Sequence, residues 1–112
     1  MGKRKRRRGP DRHPDLGILG DLLDATPAAT LDLHGDTALE AERRVRDFVT
    51  THAGISRGRV VHIITGRGLG SRGRAVLPGA VARALNSPDL ARFIHEYDRD
   101  LDEAGYLVRL WR

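Results

Sequence analysis

The chain lacks cysteine altogether. A disulfide scaffold, a cysteine nucleophile and a thiolate metal site are therefore excluded. No apolar run approaches the length of about 18 residues that a membrane-spanning helix needs. The basic residues near the start of the chain are not followed by the apolar segment of a secretory signal. These absences predict a cytoplasmic protein that has no membrane partner.

The length of 112 residues and the mass of 12.4 kDa correspond to one domain. A chain of this size buries roughly two-thirds of the surface that its unfolded form exposes, which is enough for one modest core. The hydrophobic fraction of 39% and the charged fraction of 31% are typical of a globular protein. We expect a single folded domain that is monomeric.

The net charge of +5 is concentrated at the start of the chain. Residues 1–12 carry a net charge of +6, and the remaining hundred residues together carry −1. Six consecutive basic residues account for most of it: Lys3, Arg4, Lys5, Arg6, Arg7 and Arg8. Such a run repels itself and binds polyanions through counterion release, so RNA, DNA or the ribosome is the predicted partner. The alternative is a tail that only improves solubility.

The first 28 residues are predicted to extend from the folded domain at 29–112. The first half of this extension is almost devoid of apolar side chains, which predicts a disordered basic tail. Leucines at helical spacing predict a short amphipathic helix over residues 15–24, and Pro27 ends it.

The domain is predicted to follow the order β-α-β-α-β-β. The predicted strands are Ala29–His34, Arg59–Thr65, Ala91–Tyr97 and Tyr106–Trp111, and the predicted helices run from Thr37 to Gly54 and from Val76 to Leu85. The second strand is β-branched without alternation, which predicts a central strand covered on both faces. Short β-α-β connections favour parallel neighbours, and the last two strands form a hairpin. We therefore expect an α/β two-layer sandwich (α+β), with a mixed four-stranded sheet and two helices.

Two motifs lie at the carboxyl ends of the first two predicted strands. Asp32 and His34 end the first strand, and a glycine-rich loop begins at Thr65. If the two strands are parallel neighbours, their carboxyl ends lie side by side, and we expect the two motifs to converge there. Ligands of such sheets bind beyond these carboxyl ends. Either motif alone is often only a strand-end cap or a turn, and their convergence is what favours a functional site.

The glycine-rich loop has the composition of a phosphate site. Glycines let backbone N–H groups approach an anion, and the start of the following helix adds partial positive charge. The predicted phosphate-binding residues are Thr65, Gly66, Arg67, Gly68, Arg72 and Arg74. The loop is neither a Walker A sequence nor a G-x-G-x-x-G fingerprint, since Ser71 stands at the third glycine of the latter.

His34 is the predicted catalytic general acid or base, because imidazole exchanges a proton near neutral pH. Asp32 is its predicted partner, which orients the imidazole or favours its charged form. For RNA, a base can remove the 2′-hydroxyl proton, and the oxygen then attacks the adjacent phosphate within the chain. That route requires no cofactor, and one Asp and one His are too few for a dedicated metal site. The sequence leaves open whether a divalent cation such as Mg²⁺ or Mn²⁺ assists.

At these residues the chain resembles the Smr (small MutS-related) domain family. The resemblance is carried by Leu31-Asp32-Leu33-His34-Gly35, by Thr65-Gly66-Arg67-Gly68 and by the helix that opens at Val76-Leu77. It implies a fold like the C-terminal domain of translation initiation factor three. It also implies nucleic-acid cleavage or binding, with Asp32, His34, Thr65, Gly66 and Gly68 as site residues.

The chain departs from the family at two places. Many members carry His-Ser where this chain has Gly70-Ser71, so a second imidazole that would serve as acid is absent. The glycine-rich turn before the last strand is reduced to Asp102-Glu103-Ala104-Gly105. Two hypotheses follow: an endonuclease that cleaves RNA or nicks DNA, or a non-catalytic module that binds nucleic acid or the ribosome.

Overall fold

Four strands form one mixed sheet in the computed structural model, which describes residues 22–66, 76–100 and 104–112. The strands are β1 (Ala29–Asp32), β2 (Val60–Ile64), β3 (Ile94–Arg99) and β4 (Gly105–Leu110), and the helices are α1 (Ala38–Ile55), α2 (Val76–Leu85) and α3 (Pro88–Ala91). The strand order is β1-β2-β4-β3. β1 runs parallel to β2, whereas the other two pairs are antiparallel. The predicted architecture is confirmed. The short helix α3 was not predicted, and its last residue, Ala91, was expected to begin the third strand, which instead begins at Ile94.

The main core lies between the sheet and the helices. Alternate residues of β2 and β4 face this layer, as the pleat of a strand requires. The fully buried members of this core include Leu33, Val45, Val49, Val61, Ile63, Val81, Leu85, Leu90, Val108 and Leu110. Aliphatic side chains from both long helices therefore pack on one face of the sheet.

The opposite face of the sheet carries a smaller cluster. Leu22 is fully buried there against Val60 and Leu107. Val60 and Val61 are adjacent residues of β2 that are buried on opposite faces. The prediction of a central strand that is buried on both sides is therefore confirmed.

The start of α1 is fixed by a capping box at the predicted first residue, Thr37. The Thr37 side chain accepts a hydrogen bond from the backbone N–H of Glu40, and the Glu40 carboxylate accepts one from the N–H of Thr37. The predicted end at Gly54 is wrong, because the helix continues to Ile55. After the helix ends, the left-handed backbone conformation is adopted by Gly58, at φ +75°, and not by Gly54.

The start of α2 is tied to the sheet by a buried phenol. The Tyr106 hydroxyl of β4 donates a hydrogen bond to the carbonyl oxygen of Pro78, 3.2 Å away. Burial raises the pKa of Tyr106, so the phenol keeps its proton throughout the neutral range. This contact holds the first turn of α2 on β4.

The other end of the helical layer is fixed by an ion pair. Arg46 of α1 pairs with Asp89 of α3. The hydrogen bond from Arg46 lowers the pKa of the Asp89 carboxyl. The short helix α3 is thereby held against the longest helix of the described chain.

Candidate functional site

The loop after β1 is built around Asp32. Its Oδ1 accepts a hydrogen bond of 2.9 Å from the backbone N–H of His34. Gly35 follows at φ +89°, a conformation that side-chain-bearing residues rarely adopt. Regular strand therefore ends at Asp32, two residues before the predicted end. The Asp32 carboxylate is therefore positioned against His34 by a hydrogen bond to its backbone, and His34 itself is not part of the regular strand.

A guanidinium from α1 holds the same loop. Arg44 donates to the carbonyl oxygen of Asp32 at 3.2 Å and to the carboxylate of Asp36 at 2.8 Å. Arg44 is not among the predicted site residues, and its helical spacing alone would pair it with Glu40. The Glu40 carboxylate instead accepts the capping bond from Thr37. Arg44 is thus a site-building residue that sequence reasoning missed.

The chain after β2 turns at Thr65 and Gly66, and Ala104 holds this turn. The Ala104 carbonyl oxygen accepts hydrogen bonds from the N–H groups of Thr65 at 2.7 Å and Gly66 at 2.9 Å. The Thr65 hydroxyl lies 3.1 Å from the same oxygen and 2.8 Å from the carbonyl oxygen of Gly66. Thr65 itself is buried. These two N–H groups therefore hold the turn, and phosphate binding by this loop stays a prediction that depends on residues after Gly66.

The two loops meet at His34 and Gly66. Gly66 has a φ of +76°, and a Cβ built on it would lie 3.9 Å from Cδ2 of His34. The imidazole thus lies alongside the backbone of Gly66, and His34 is exposed to solvent. An exposed imidazole beside a glycine backbone is accessible to a ligand that approaches the carboxyl ends of β1 and β2. This convergence is what the sequence predicted from the parallel order of the two strands.

A second histidine, His62, supports this turn from the face of the sheet opposite the helices. The Nε2 of His62 lies 3.0 Å from Oδ2 of Asp100, and both side chains are largely buried. The other oxygen of Asp100 accepts a hydrogen bond of 2.9 Å from the backbone N–H of Ala104. Sequence reasoning missed this pair, because Asp100 lies 38 residues further along the chain than His62.

Several predicted site residues lie outside the described residues. They are Arg67, Gly68, Arg72 and Arg74 of the glycine-rich loop and Lys3, Arg4, Lys5, Arg6, Arg7 and Arg8 of the tail. The two catalytic candidates, and Thr65 and Gly66, lie within the described part. Across the described ranges, no three His, Asp or Glu side chains group together as metal ligands would.

Comparison with known proteins identifies one family. The model of the Smr domain matches residues 31–110. The match spans both loops and all the strands apart from the first two residues of β1. The curated proteins contain no match to the chain. Among the described helices, none combines the length and the apolar composition required to cross a bilayer.

Proposed function

The chain belongs to the Smr domain family, which includes nucleases and nucleic-acid-binding proteins, and on this premise we propose that it is an endonuclease. The observation that carries the proposal is the meeting of the exposed imidazole of His34 with the Gly66 turn. The substrate is RNA, or DNA that the enzyme nicks. RNA is favoured because its 2′-hydroxyl supplies a nucleophile within the substrate.

In the proposed RNA reaction, His34 is the general base. The imidazole takes the proton of the 2′-hydroxyl, and the 2′-oxygen attacks the adjacent phosphorus. The new bond joins phosphorus to the 2′-oxygen, and the bond to the 5′-oxygen of the next nucleotide breaks. That departing oxygen takes a proton from the imidazolium or from water. The products carry a 2′,3′-cyclic phosphate and a 5′-hydroxyl.

The phosphate is proposed to lie against the glycine-rich loop. Arg67, Arg72 and Arg74 supply formal positive charge, and Gly68 permits close approach of the backbone. The N–H groups of Thr65 and Gly66 are engaged by Ala104 in the structure. Their proposed role is therefore to fix the turn from which the phosphate-binding residues continue.

Analysis of the product ends tests this proposal. The purified protein is incubated with end-labelled single-stranded RNA and with supercoiled plasmid, each with and without EDTA. We expect RNA fragments that end in a 2′,3′-cyclic phosphate, formed at the same rate in EDTA because the step uses no metal. Fragments with a 5′-phosphate would instead indicate attack by water, which a bound metal ion commonly activates. Binding without any cleavage would contradict the endonuclease.

A non-catalytic nucleic-acid-binding module is the second candidate. It is favoured by the use of the Asp32 carboxylate as an acceptor for the backbone of His34. It is also favoured by Gly70, where many family members supply a second imidazole. This candidate retains the charge-based affinity for RNA, DNA or the ribosome but has no turnover.

Two substitutions of Asp32 separate positioning from charge. If the carboxylate acts by holding the His34 N–H, Asp32→Asn retains an acceptor oxygen and cleaves within about threefold of the native rate. Asp32→Ala removes the bond and lowers the single-turnover rate by about 5- to 10-fold, the effect of removing one hydrogen bond. Equal losses in both variants would contradict this role and show that the charge of Asp32 acts on the imidazole.

Deletion of residues 1–12 tests the tail. Its net charge of +6 is expected to bind phosphates without reading sequence. We expect weaker RNA binding and a shallower salt dependence, because the log–log slope falls by about 0.7 for each phosphate of a single strand that the tail no longer neutralises. The cleavage rate at saturating protein should not change. Unaltered affinity and salt slope would leave the tail only a solubilising role.

The remaining features of the proposal are a cytoplasmic location, a monomeric state and recruitment by a larger polyanion such as the ribosome. Light scattering on the purified protein tests the monomer. Sedimentation with ribosomes at low and high salt tests the recruitment, since an electrostatic association weakens as the salt concentration rises.

A further inference from the structure

Three segments meet at the end of the sheet opposite the His34 loop, where β2 and β3 begin and β4 ends. Hydrogen bonds of 3.0 Å join them: the Gly58 N–H donates to the carbonyl of Trp111, and the Trp111 N–H donates to the carbonyl of Phe93. We call the exposed residues of this end the Trp111 surface. Its members are Arg57, Arg59, Arg92, His95, Trp111 and Arg112.

An aromatic pair lies at the centre of this surface. The rings of His95 and Trp111 have centroids 4.1 Å apart and are inclined by 39°. His95 is exposed, and the indole is still 52% exposed after this contact. An indole that only covers the edge of the sheet would be buried by it, whereas this one presents a large apolar area to solvent. A nucleobase is a ligand that stacks on such a ring.

The charge around the aromatic pair is positive. Arg57, Arg59, Arg92 and Arg112 are exposed, and within the described chain no salt bridge engages their guanidinium groups. By contrast, Arg109 of β4 is neutralised by Glu96 at 3.1 Å. The Arg92 guanidinium also lies 4.5 Å from the ring centroid of Phe93, a cation–π contact that restrains it. Arginines that have no acidic partner among the described residues, close in the fold to an exposed indole, complement the phosphates that flank a base.

We propose that the Trp111 surface binds a single-stranded segment of nucleic acid. One base stacks on Trp111, and the four arginines bind the flanking phosphates. The inference deepens the proposed function on which it rests, because it assigns a second binding surface to the same class of substrate. From Arg59 to Thr65 the chain spans about 20 Å of extended strand, so the surface holds the substrate well away from His34.

Tryptophan fluorescence tests the stacking directly. Trp111 is the only tryptophan of the protein, so its emission reports this surface alone. The full chain is titrated with an oligouridylate of about 12 nucleotides, methylated at the 2′-oxygens so that it cannot be cleaved by internal attack. We expect quenching that saturates together with the anisotropy of the labelled oligonucleotide. Binding that leaves the emission unchanged, or no binding at all, would overturn the proposal.

Variants then measure the contribution of each group. Trp111→Ala is expected to weaken binding by about 5- to 150-fold, the range for removal of one stacking platform, and Trp111→Phe to restore most of it. The double variant Arg57→Gln/Arg59→Gln should reduce the log–log salt slope by about 1.4, which is about 0.7 for each of the two phosphates no longer bound. Arg83→Gln is the matched control, because it removes the same kind of charge from α2, where Arg83 is paired with Glu42. Thermal melts show that each variant is folded. Equal affinity of Trp111→Ala and the native chain would exclude stacking.

The outcome is independent of cleavage. If the oligonucleotide binds and quenches the Trp111 emission but RNA is never cleaved, the proposed endonuclease activity is wrong and the proposed Trp111 surface is supported. If it cleaves but Trp111→Ala binds as the native chain does, the surface fails and the endonuclease stands.

Discussion

Gly105→Ala is expected to destabilise the domain by at least about 3 kcal/mol, beyond the usual cost of a point substitution. Gly105 is the first residue of β4 and pairs with Ile64 of the central strand. A Cβ built on it would overlap the carbonyl oxygen of Ile63 and lie 3.0 Å from Cα of Ile64. These are backbone atoms of a strand that is paired on both sides, so they cannot give way as a flexible side chain would.

The measurement is the free energy of unfolding from urea denaturation, compared with Gly54→Ala. Gly54 lies in α1, and a Cβ there meets nothing within 4 Å. The same substitution at Gly54 is expected to stabilise the domain by about 0.5–1 kcal/mol through helix propensity. Opposite signs for the two alanines would confirm that the effect at Gly105 is steric. A change below about 0.5 kcal/mol at Gly105 would contradict the close approach of the strands.

Gly105 and the preceding Ala104 belong to the reduced turn before β4, and each has a structural role. The resemblance identified Asp102-Glu103-Ala104-Gly105 as a poor version of the family's glycine-rich turn. The structure gives the last two residues of this turn separate tasks. Gly105 permits close strand pairing, and the Ala104 carbonyl accepts the N–H groups of Thr65 and Gly66. The turn before β4 is thus part of the candidate site, and a shift of Gly105 would move the Gly66 backbone beside His34.

The elements of this fold are predictable from the sequence because local patterns determine them. The alternation in β1, the apolar run of β2 and the capping box at Thr37 are all properties of a few neighbouring residues. The expected parallel order of β1 and β2 is also sufficient to bring His34 near Gly66. The ends of the elements are less predictable. Gly54 and Gly58 both fit a helix stop, and Gly58 takes the left-handed turn where its N–H bonds to distant Trp111.

Side-chain partners are the least predictable feature of the site. Helical spacing indicates Glu40–Arg44 and Glu42–Arg46 pairs, but exposed pairs of this kind are weak, and other partners compete for them. Arg44 pairs with Asp36 at 2.8 Å, and Glu42 accepts from Arg83. The His62–Asp100 pair joins residues that no local rule connects. The residues that build the His34 loop can therefore be found only from the folded chain.

His34→Ala is expected to lower the single-turnover rate of RNA cleavage by about 10²- to 10⁴-fold, the range for removal of a general base. The side chain is exposed and makes its close approach to the Gly66 backbone, so its removal leaves no buried cavity and no unpaired buried group. Stability should therefore change by less than about 0.5 kcal/mol, as for other surface substitutions. RNA affinity should change by less than about twofold, because the tail and the arginines supply it.

The comparison that makes this result specific uses a second histidine and a second replacement. His34→Gln retains a polar side chain of similar size but has no group that exchanges a proton near neutral pH, so it should be as inactive as the alanine variant. His52→Gln changes a histidine in the last turn of α1, where the imidazole is bonded to Ser56 at 2.8 Å, and should cleave at the native rate. Cleavage by His34→Ala at the native rate would show that the His34 imidazole has no role in the reaction. With folding and binding unchanged, a selective loss at His34 assigns the proton transfer to that side chain.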